Sequence, residues 1–285
     1  MKMCLRMVTF FLPLWIWTAF FVLPLDSFLS RVSVLSLSTL GSDRYAWPKV
    51  WRNLGVARVA EIGVWRGEFT RNALRTYPGI TKYTLVDPWR HLDDWKKPLN
   101  VDDSVFSESY LLAMSNTRDS PEGKGKIRVL RGTSAEVVGN VTDEELDCLY
   151  VDGDHTLKGA LIDLLLWYRK VEAGGLVCGD DYVDSLQHGT AYSPTYVKSV
   201  VDIFAEVAGA KVHGFSGGSM TPQFGFIKPY GPEQEGLFAN IIERLRSKFR
   251  KLGVPMDEEV DAAKDALDSL GFRWTMDAKA LSASP

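Results

Sequence analysis

The chain has 285 residues, of which 46% are hydrophobic and 24% are charged, which is enough for one large globular core with appendages. A net charge of −3 gives no reason to expect a nucleic-acid partner. Three cysteines are too few for a disulfide framework, and Cys148 and Cys178 fall inside predicted strands, where a free thiol acts as a small hydrophobe.

The first element is an apolar leader. Residues 7–25 carry no charge and follow Lys2 and Arg6, so their length approaches that of a membrane span with a cytoplasmic amino terminus. We predict a single-pass signal anchor at residues 1–25 and a lumenal or extracellular body. A cleaved signal, giving a secreted protein, and an organelle-targeting leader are the alternatives. The glycosylation sequence at Asn140 agrees with a translocated body.

Residues 26–50 are rich in serine and lack a strong period, so they are predicted to be a stem. The folded domain is predicted at 51–230, and it begins with a strand at 56–62, a glycine turn, a helix at 68–77 and a strand at 82–86. The turn contains Glu61, Gly63 and Gly67, and the second strand ends at Asp87. Glycines there let a ligand approach the backbone, and a carboxylate at a strand end is a common partner for ribose hydroxyls.

Residues 88–126 depart from the alternation of strands and helices. They contain a helix predicted at 104–116, and Trp89, His91 and Trp95 are candidates to close over a ligand. Ordinary surface packing of these side chains is the alternative interpretation. A third strand at 127–130 then leads to Thr133 and Ser134, which open a short helix.

The centre of the chain is a strand, helix and strand unit. One apolar run ends at Asp152, Asp154 and His155, and a second ends at Asp180 and Asp181, with a helical apolar pattern between them. A right-handed crossover places both strand ends at the same edge of the sheet, so the four carboxylates should converge. Buried like charges repel unless a proton, a cation or a basic group lies among them.

A helix predicted at 195–208 and strands at 211–215 and 223–228 complete the domain. Seven strands are expected in a mostly parallel, doubly wound α/β sheet with one antiparallel edge strand. Residues 231–285 are predicted to form a helical extension with two apolar stripes, which dock on the domain or on a second copy as a homo-oligomer.

The runs EIGVWRGEFT, LVDPW, RGTSAE, YVDGDH and GGLVCGDDY occur in this order and together resemble the class I S-adenosylmethionine-dependent methyltransferases, especially small-molecule and sugar O-methyltransferases. The resemblance covers roughly residues 56–228. The leader, the 88–126 segment and the helical tail depart from the family pattern, so the acceptor hydroxyl, on a small molecule or a saccharide, is not identified.

The resemblance assigns roles to individual residues. It implies a cofactor site at Glu61, Gly63, Gly67, Asp87, Thr133, Ser134 and Asp152. It implies Mg²⁺ or another divalent cation at Asp152, Asp180 and Asp181, with Asp154 as general base and His155 as the second candidate. Carboxylate oxygens suit such a cation, which lowers the pKa of a bound hydroxyl.

Two other functions are compatible with the same residues. A membrane-anchored, metal-dependent glycosyltransferase would use Asp152 and Asp154 as an Asp-x-Asp motif, but this interpretation does not explain the glycine turn with Asp87. A methyltransferase fold without activity, serving as a binding module, would not need the full set of acids.

Overall fold

The structure is a computed structural model that describes residues 43–185, 195–215, 221–230, 237–254 and 256–269. The predicted leader lies outside these ranges, so the membrane anchor and the lumenal or extracellular location stay predictions. Within the described ranges, no helix combines the length and the apolar character needed to cross a membrane.

Seven of the strands form one sheet. In chain order the strands are β1 (Arg58–Ile62), β2 (Lys82–Asp87), β3 (Ile127–Arg131), β4 (Leu146–Val151), β5 (Val171–Gly179), β6 (Asp184–Ser185), β7 (Thr195–Tyr196), β8 (His213–Phe215) and β9 (Gln223–Ile227). The sheet order is β3-β2-β1-β4-β5-β9-β8, while β6 and β7 pair separately. β1 to β5 are parallel, and the single antiparallel strand, β9, lies between β5 and the edge strand β8. The predicted seven-stranded, mostly parallel sheet is therefore confirmed.

Helices cover both faces of this sheet. They are α1 (Trp47–Leu54), α2 (Glu68–Thr76), α3 (Asp103–Asn116), α4 (Ser134–Val137), α5 (Leu157–Trp167), α6 (Val197–Val207), α7 (Leu237–Lys251) and α8 (Asp257–Ser269). β4 is buried along its whole length, as a central parallel strand between two helical layers requires. Alternate residues of β4 face different layers: Leu149 packs with α5 and α6, whereas Tyr150 packs with α1 and α2.

The folded domain begins earlier than the sequence pattern indicated. Residues 43–50, placed in the stem by the sequence, form a turn of 3₁₀-helix and the first half of α1. Trp47 and Val50 of this segment are almost completely buried, as is Trp51 directly after it. The predicted boundary at residue 51 is too late, because burying these side chains ties the segment to the core.

The two C-terminal helices dock on the domain itself. Ile241, Leu245 and Phe249 of α7 and Val260 and Leu267 of α8 are buried in the same core cluster as α5 and α6. Phe249 meets the edge of the Tyr196 ring, with 5.7 Å between the ring centroids. The apolar stripes of the described helices therefore pack on the core of the same chain, and homo-oligomer formation stays a prediction.

Candidate active site

The loops that follow β1, β2, β3, β4 and β5 meet at the carboxyl edge of the sheet. Gly63 begins the first of these loops with a φ of 84°, in the left-handed region that favours glycine. A Cβ at Gly63 would lie 2.0 Å from the carbonyl oxygen of Asp152, so the loops after β1 and β4 touch at this residue. Gly67 ends the loop with a φ of 75° and precedes α2, whose first amide groups face the edge.

Asp87 organises the same loop from the end of β2. Its Oδ2 accepts hydrogen bonds from the amides of Val64 and Trp65, both at 2.9 Å, and its Oδ1 accepts one from the amide of Trp89 at 2.8 Å. Burial raises the pKa of Asp87, although these amide bonds act in the opposite direction. Asp87 therefore lies at the end of its strand and fixes the glycine loop, and its contact with ribose hydroxyls stays a prediction.

Glu61 lies beneath the loop. It is 1% exposed, and its Oε2 accepts hydrogen bonds from the hydroxyls of Thr70 at 2.6 Å and Tyr83 at 2.7 Å. Burial raises its pKa to about 8, so the group is held largely protonated at neutral pH. These contacts connect β1, β2 and α2, and direct contact of Glu61 with a cofactor stays a prediction.

Thr133 and Ser134 stand at the start of α4, after β3. Thr133 forms a capping box with Glu136, which fixes the start of the helix. The Ser134 hydroxyl donates to Oδ1 of Asp163, a buried residue of α5 whose Oδ2 has no hydrogen-bond partner. Burial raises the pKa of Asp163 to about 7. Nothing in the sequence indicated a role for Asp163, because its neighbours in the helix are mostly apolar.

Asp152 and Asp180 lie at the ends of β4 and β5 and share one cation, Arg44. Nη2 of Arg44 donates to Oδ2 of Asp152, and Nη1 lies 3.2 Å from Oδ2 of Asp180. The other oxygen of Asp180 accepts from Thr221 Oγ1 at 2.6 Å, from Gln223 Nε2 and from the amide of Asp181 at 2.7 Å. Asp180 is thus satisfied by donors from the protein.

His155 and Asp181 complete the cluster. The His155 ring lies between two carboxylates, with Nδ1 3.1 Å from Oδ2 of Asp181 and Nε2 3.5 Å from Oδ1 of Asp152. Burial alone would lower the pKa of His155, but the two carboxylates raise it to about 9. Burial raises the pKa of Asp181 to about 6.

Both carboxylate oxygens of Asp154 accept hydrogen bonds. Its Oδ1 accepts from Trp95 Nε1 at 2.9 Å and from the amide of Thr156 at 3.0 Å, and its Oδ2 accepts from Thr156 Oγ1 at 2.8 Å. These bonds turn the chain into α5 and fasten the 88–102 segment to the site. The role of Asp154 as general base stays a prediction.

Sequence reasoning missed Arg44 and Gln223. Arg44 precedes an apolar stripe of helical spacing, formed by Trp47, Val50, Trp51 and Leu54, and this stripe was the available signal that the segment belongs to the domain. Nothing in the pattern connects either residue to Asp180.

The sheet order, the crossover connections and the ligand edge define an open α/β protein of the nucleotide-binding type. Residues 60–182 match a family model described as "Methyltransferase domain". Residues 60–182 therefore match a methyltransferase domain, and the predicted resemblance to the class I methyltransferases is confirmed.

Individual proteins similar to the chain were also found. An uncharacterized protein, R132, of Acanthamoeba polyphaga mimivirus is 33% identical over 66 residues, which is 23% of this chain and 28% of the relative's length. An O-methyltransferase from Bacillus cereus, solved with SAH, is 14% identical with a TM-score of 0.46, covering 71% of this chain and 91% of the other. The O-methyltransferase TomG of Streptomyces achromogenes, involved in tomaymycin synthesis and solved with SAM, is 14% identical with a TM-score of 0.47, covering 76% and 95%.

Proposed function

We propose that the chain is an S-adenosylmethionine-dependent O-methyltransferase that acts on a hydroxyl group of a small molecule or saccharide. The observation that carries this proposal is the arrangement at the sheet edge within the matched domain. The glycine loop held by Asp87 lies directly beside Asp152, which in turn faces the His155–Asp181 pair.

The residues present fit the cofactor. Gly63 and Gly67 leave a backbone cradle in which a side chain at Gly63 would collide with Asp152, and Asp87 holds that cradle in shape. Thr133 and Ser134 border the neighbouring loop, on the side proposed for adenine. When bound, S-adenosylmethionine supplies a sulfonium methyl group that an oxygen nucleophile attacks in line.

The chain must position the acceptor hydroxyl and remove its proton. We assign proton removal to the Asp181 carboxylate, whose Oδ2 lies 3.1 Å from Nδ1 of His155 in a largely buried pair. The pKa of His155, about 9, keeps the imidazole protonated at neutral pH, so His155 holds the carboxylate in place and does not itself take the proton. Asp152 orients the imidazole from the other side. The segment that carries Trp95 contacts the site through Asp154, where it would limit the access of water.

The sequence also predicts a divalent cation. The side chains that could bind one in the structure differ from the predicted ligands. Among the described residues, ligand atoms of Asp152, His155 and Asp181 lie within 4.8 Å of one another. Asp180 is satisfied by the protein, and Arg44 already pairs with Asp152 and Asp180. The three aspartates predicted as ligands therefore do not present a free site, and no step of the proposed reaction depends on a metal.

Binding and transfer experiments test the function directly. The purified domain should bind labelled S-adenosylmethionine and should not bind nucleotide sugars, and it should transfer the methyl group to members of a panel of saccharides and phenols. His155→Gln should abolish transfer and keep cofactor affinity, whereas His213→Gln, a matched change on β8, should alter neither. Binding of nucleotide sugars without binding of S-adenosylmethionine would favour the glycosyltransferase instead.

The match to a methyltransferase domain does not favour the two alternatives. A binding module without activity would bind the cofactor, but it would transfer no methyl group to any acceptor of the panel. A glycosyltransferase would use Asp152 and Asp154 together, yet these carboxylates face Arg44 and Trp95 respectively.

A further inference from the structure

Arg44 occupies the gap between two carboxylates at the centre of the site. One guanidinium nitrogen donates to Asp152 and the other lies 3.2 Å from Asp180, so one side chain bridges the ends of β4 and β5. The Arg44 side chain is 29% exposed, while those of Asp152 and Asp180 are 14% and 3% exposed. The guanidinium is thus a partly buried cation with two anionic partners.

The surrounding structure holds Arg44 in this position. The guanidinium lies over the rings of Phe69 and Tyr150, at 5.2 and 5.9 Å from their centroids, and these rings stack on each other at 4.2 Å. Three residues further on, Trp47 is buried and donates its Nε1 to Gln223 at 3.0 Å. Gln223 in turn donates to Asp180, so Gln223 connects Trp47 to this carboxylate.

The charge balance explains why a cation is needed. Asp152, Asp180 and Asp181 are close enough that ionising all three requires positive charge among them. Arginine stays protonated under all ordinary conditions, and its planar fork can serve two carboxylates at once. A divalent ion in the same gap would be repelled by the guanidinium and would lose Asp180 as a ligand.

We propose that Arg44 is the resident cation of this carboxylate cluster, and that it occupies the place between Asp152 and Asp180 that a divalent metal would otherwise take. Arg44 is a positioning residue, because it acts through Asp152, which it holds against His155. Methyl transfer then proceeds without a bound metal, and this consequence rests on the proposed function. The exclusion of metal by Arg44 does not rest on it.

Binding of Mn²⁺, followed by electron paramagnetic resonance, tests the proposal on the full chain without any substrate. The wild-type protein should leave Mn²⁺ free when the two are mixed in equal amounts. Arg44→Gln should tighten Mn²⁺ binding by about tenfold or more, the size of effect that neighbouring groups commonly have on metal affinity. Arg44→Lys keeps the positive charge and should still exclude the ion.

Arg52→Gln is the matched control, because it removes an arginine from α1, the helix that follows the 3₁₀ turn of Arg44, at an exposed position away from the carboxylates. It should leave Mn²⁺ binding unchanged. Stoichiometric binding of Mn²⁺ by the wild-type chain that Asp152→Asn abolishes would overturn the proposal, and this result does not depend on whether Arg44→Gln folds. Full methyl transfer in excess chelator supports the proposal, and loss of transfer that Mn²⁺ restores contradicts it.

Discussion

At the scale of single residues, Gly63 is the most constrained position in the site. An added Cβ would overlap the carbonyl oxygen of Asp152 at 2.0 Å. Gly63→Ala should therefore push the loops after β1 and β4 apart and abolish binding of S-adenosylmethionine, as measured by calorimetry. Gly55→Ala is the matched control, because Gly55 has a φ of 69° and no atom within 4 Å of the added Cβ. It should cost about 1–2 kcal/mol of folding free energy and keep cofactor affinity.

Asp87 gives a second prediction at this scale. Asp87→Asn leaves one oxygen where three backbone amides now donate to two, so at least one of these amides, in the glycine loop or at Trp89, loses its partner. Losing a hydrogen bond to a charged group costs about 1.5–3 kcal/mol, so affinity for S-adenosylmethionine should fall by about tenfold or more. Calorimetry measures this change. Unaltered affinity in a folded variant would remove Asp87 from the cofactor site.

Much of the site was predictable residue by residue, because each chemical group follows a strand. The chain returns to the same sheet edge after every crossover, so Asp87, Asp152 and Asp180 converge whatever their separation in sequence. Arg44 was not predictable in this way. It reaches Asp152 across 108 positions, from a segment outside the alternation of strands and helices, and its place depends on how Trp47 packs.

At the scale of elements, the parallel strands were the easiest to predict, since burial on both faces makes them continuous apolar runs. The 88–102 segment was the hardest, because it has no regular period and is held by individual side-chain contacts. Trp95 fastens this segment to Asp154, and Asn100 donates to the carbonyl oxygens of Leu92 and Trp95. Its position over the site is a result of these polar contacts.

Trp95→Phe should release this segment without unfolding the domain. The variant keeps an aromatic ring but loses the donor to Asp154, so backbone amides at 91–100 should exchange with deuterium faster than in the wild type. Exchange in α8 should stay the same and serves as the internal control. Equal protection of 91–100 in both proteins would show that the Trp95–Asp154 bond does not hold the segment.

The C-terminal helices give a second prediction for elements. Phe249 is 2% exposed in the core cluster, so Phe249→Ala should lower the free energy of unfolding by about 3–5 kcal/mol. Leu252→Ala, just beyond the same helix, removes a side chain that is 58% exposed and should change stability by about 0.5 kcal/mol at most. Denaturant unfolding compares the two. If α7 served mainly as an oligomer interface, Phe249→Ala would alter the oligomeric state instead of the stability of the monomer.

At the scale of the whole molecule, two buried acids make stability depend on pH. Burial raises the pKa of Glu61 to about 8 and that of Asp163 to about 7, well above their ordinary values of 4.5 and 3.8. The folded chain therefore keeps protons that the unfolded chain releases. By linkage, the contribution of these groups to stability falls as pH rises from about 4 to about 8. This trend is opposite to that of a carboxylate stabilised by a salt bridge.

Asp163→Asn isolates the part of this pH dependence of stability that comes from Asp163 in α5. Asparagine can accept the hydrogen bond from Ser134 and cannot ionise, so the variant avoids the cost of a buried charge at high pH. One pKa unit corresponds to about 1.4 kcal/mol of folding free energy. Part of this gain in stability is offset because the amide nitrogen of the new asparagine lacks a hydrogen-bond partner. We therefore expect a net gain in stability of about 1–3 kcal/mol at pH 8. Below about pH 4 wild-type Asp163 is protonated in both the folded and the unfolded chain, so the gain should disappear there.

Urea unfolding of both proteins without cofactor, at pH 5, 6.5 and 8, measures this gain, which should increase with pH across the series. Asp265→Asn is the matched control, because it removes an exposed acid from α8 and should give a difference that hardly changes over this range. A constant difference between Asp163→Asn and the wild type at all three pH values would mean that Asp163 is ionised in the folded protein throughout. The unpaired Oδ2 beside Gly153 would then carry a buried negative charge, and a cation would be expected near α5.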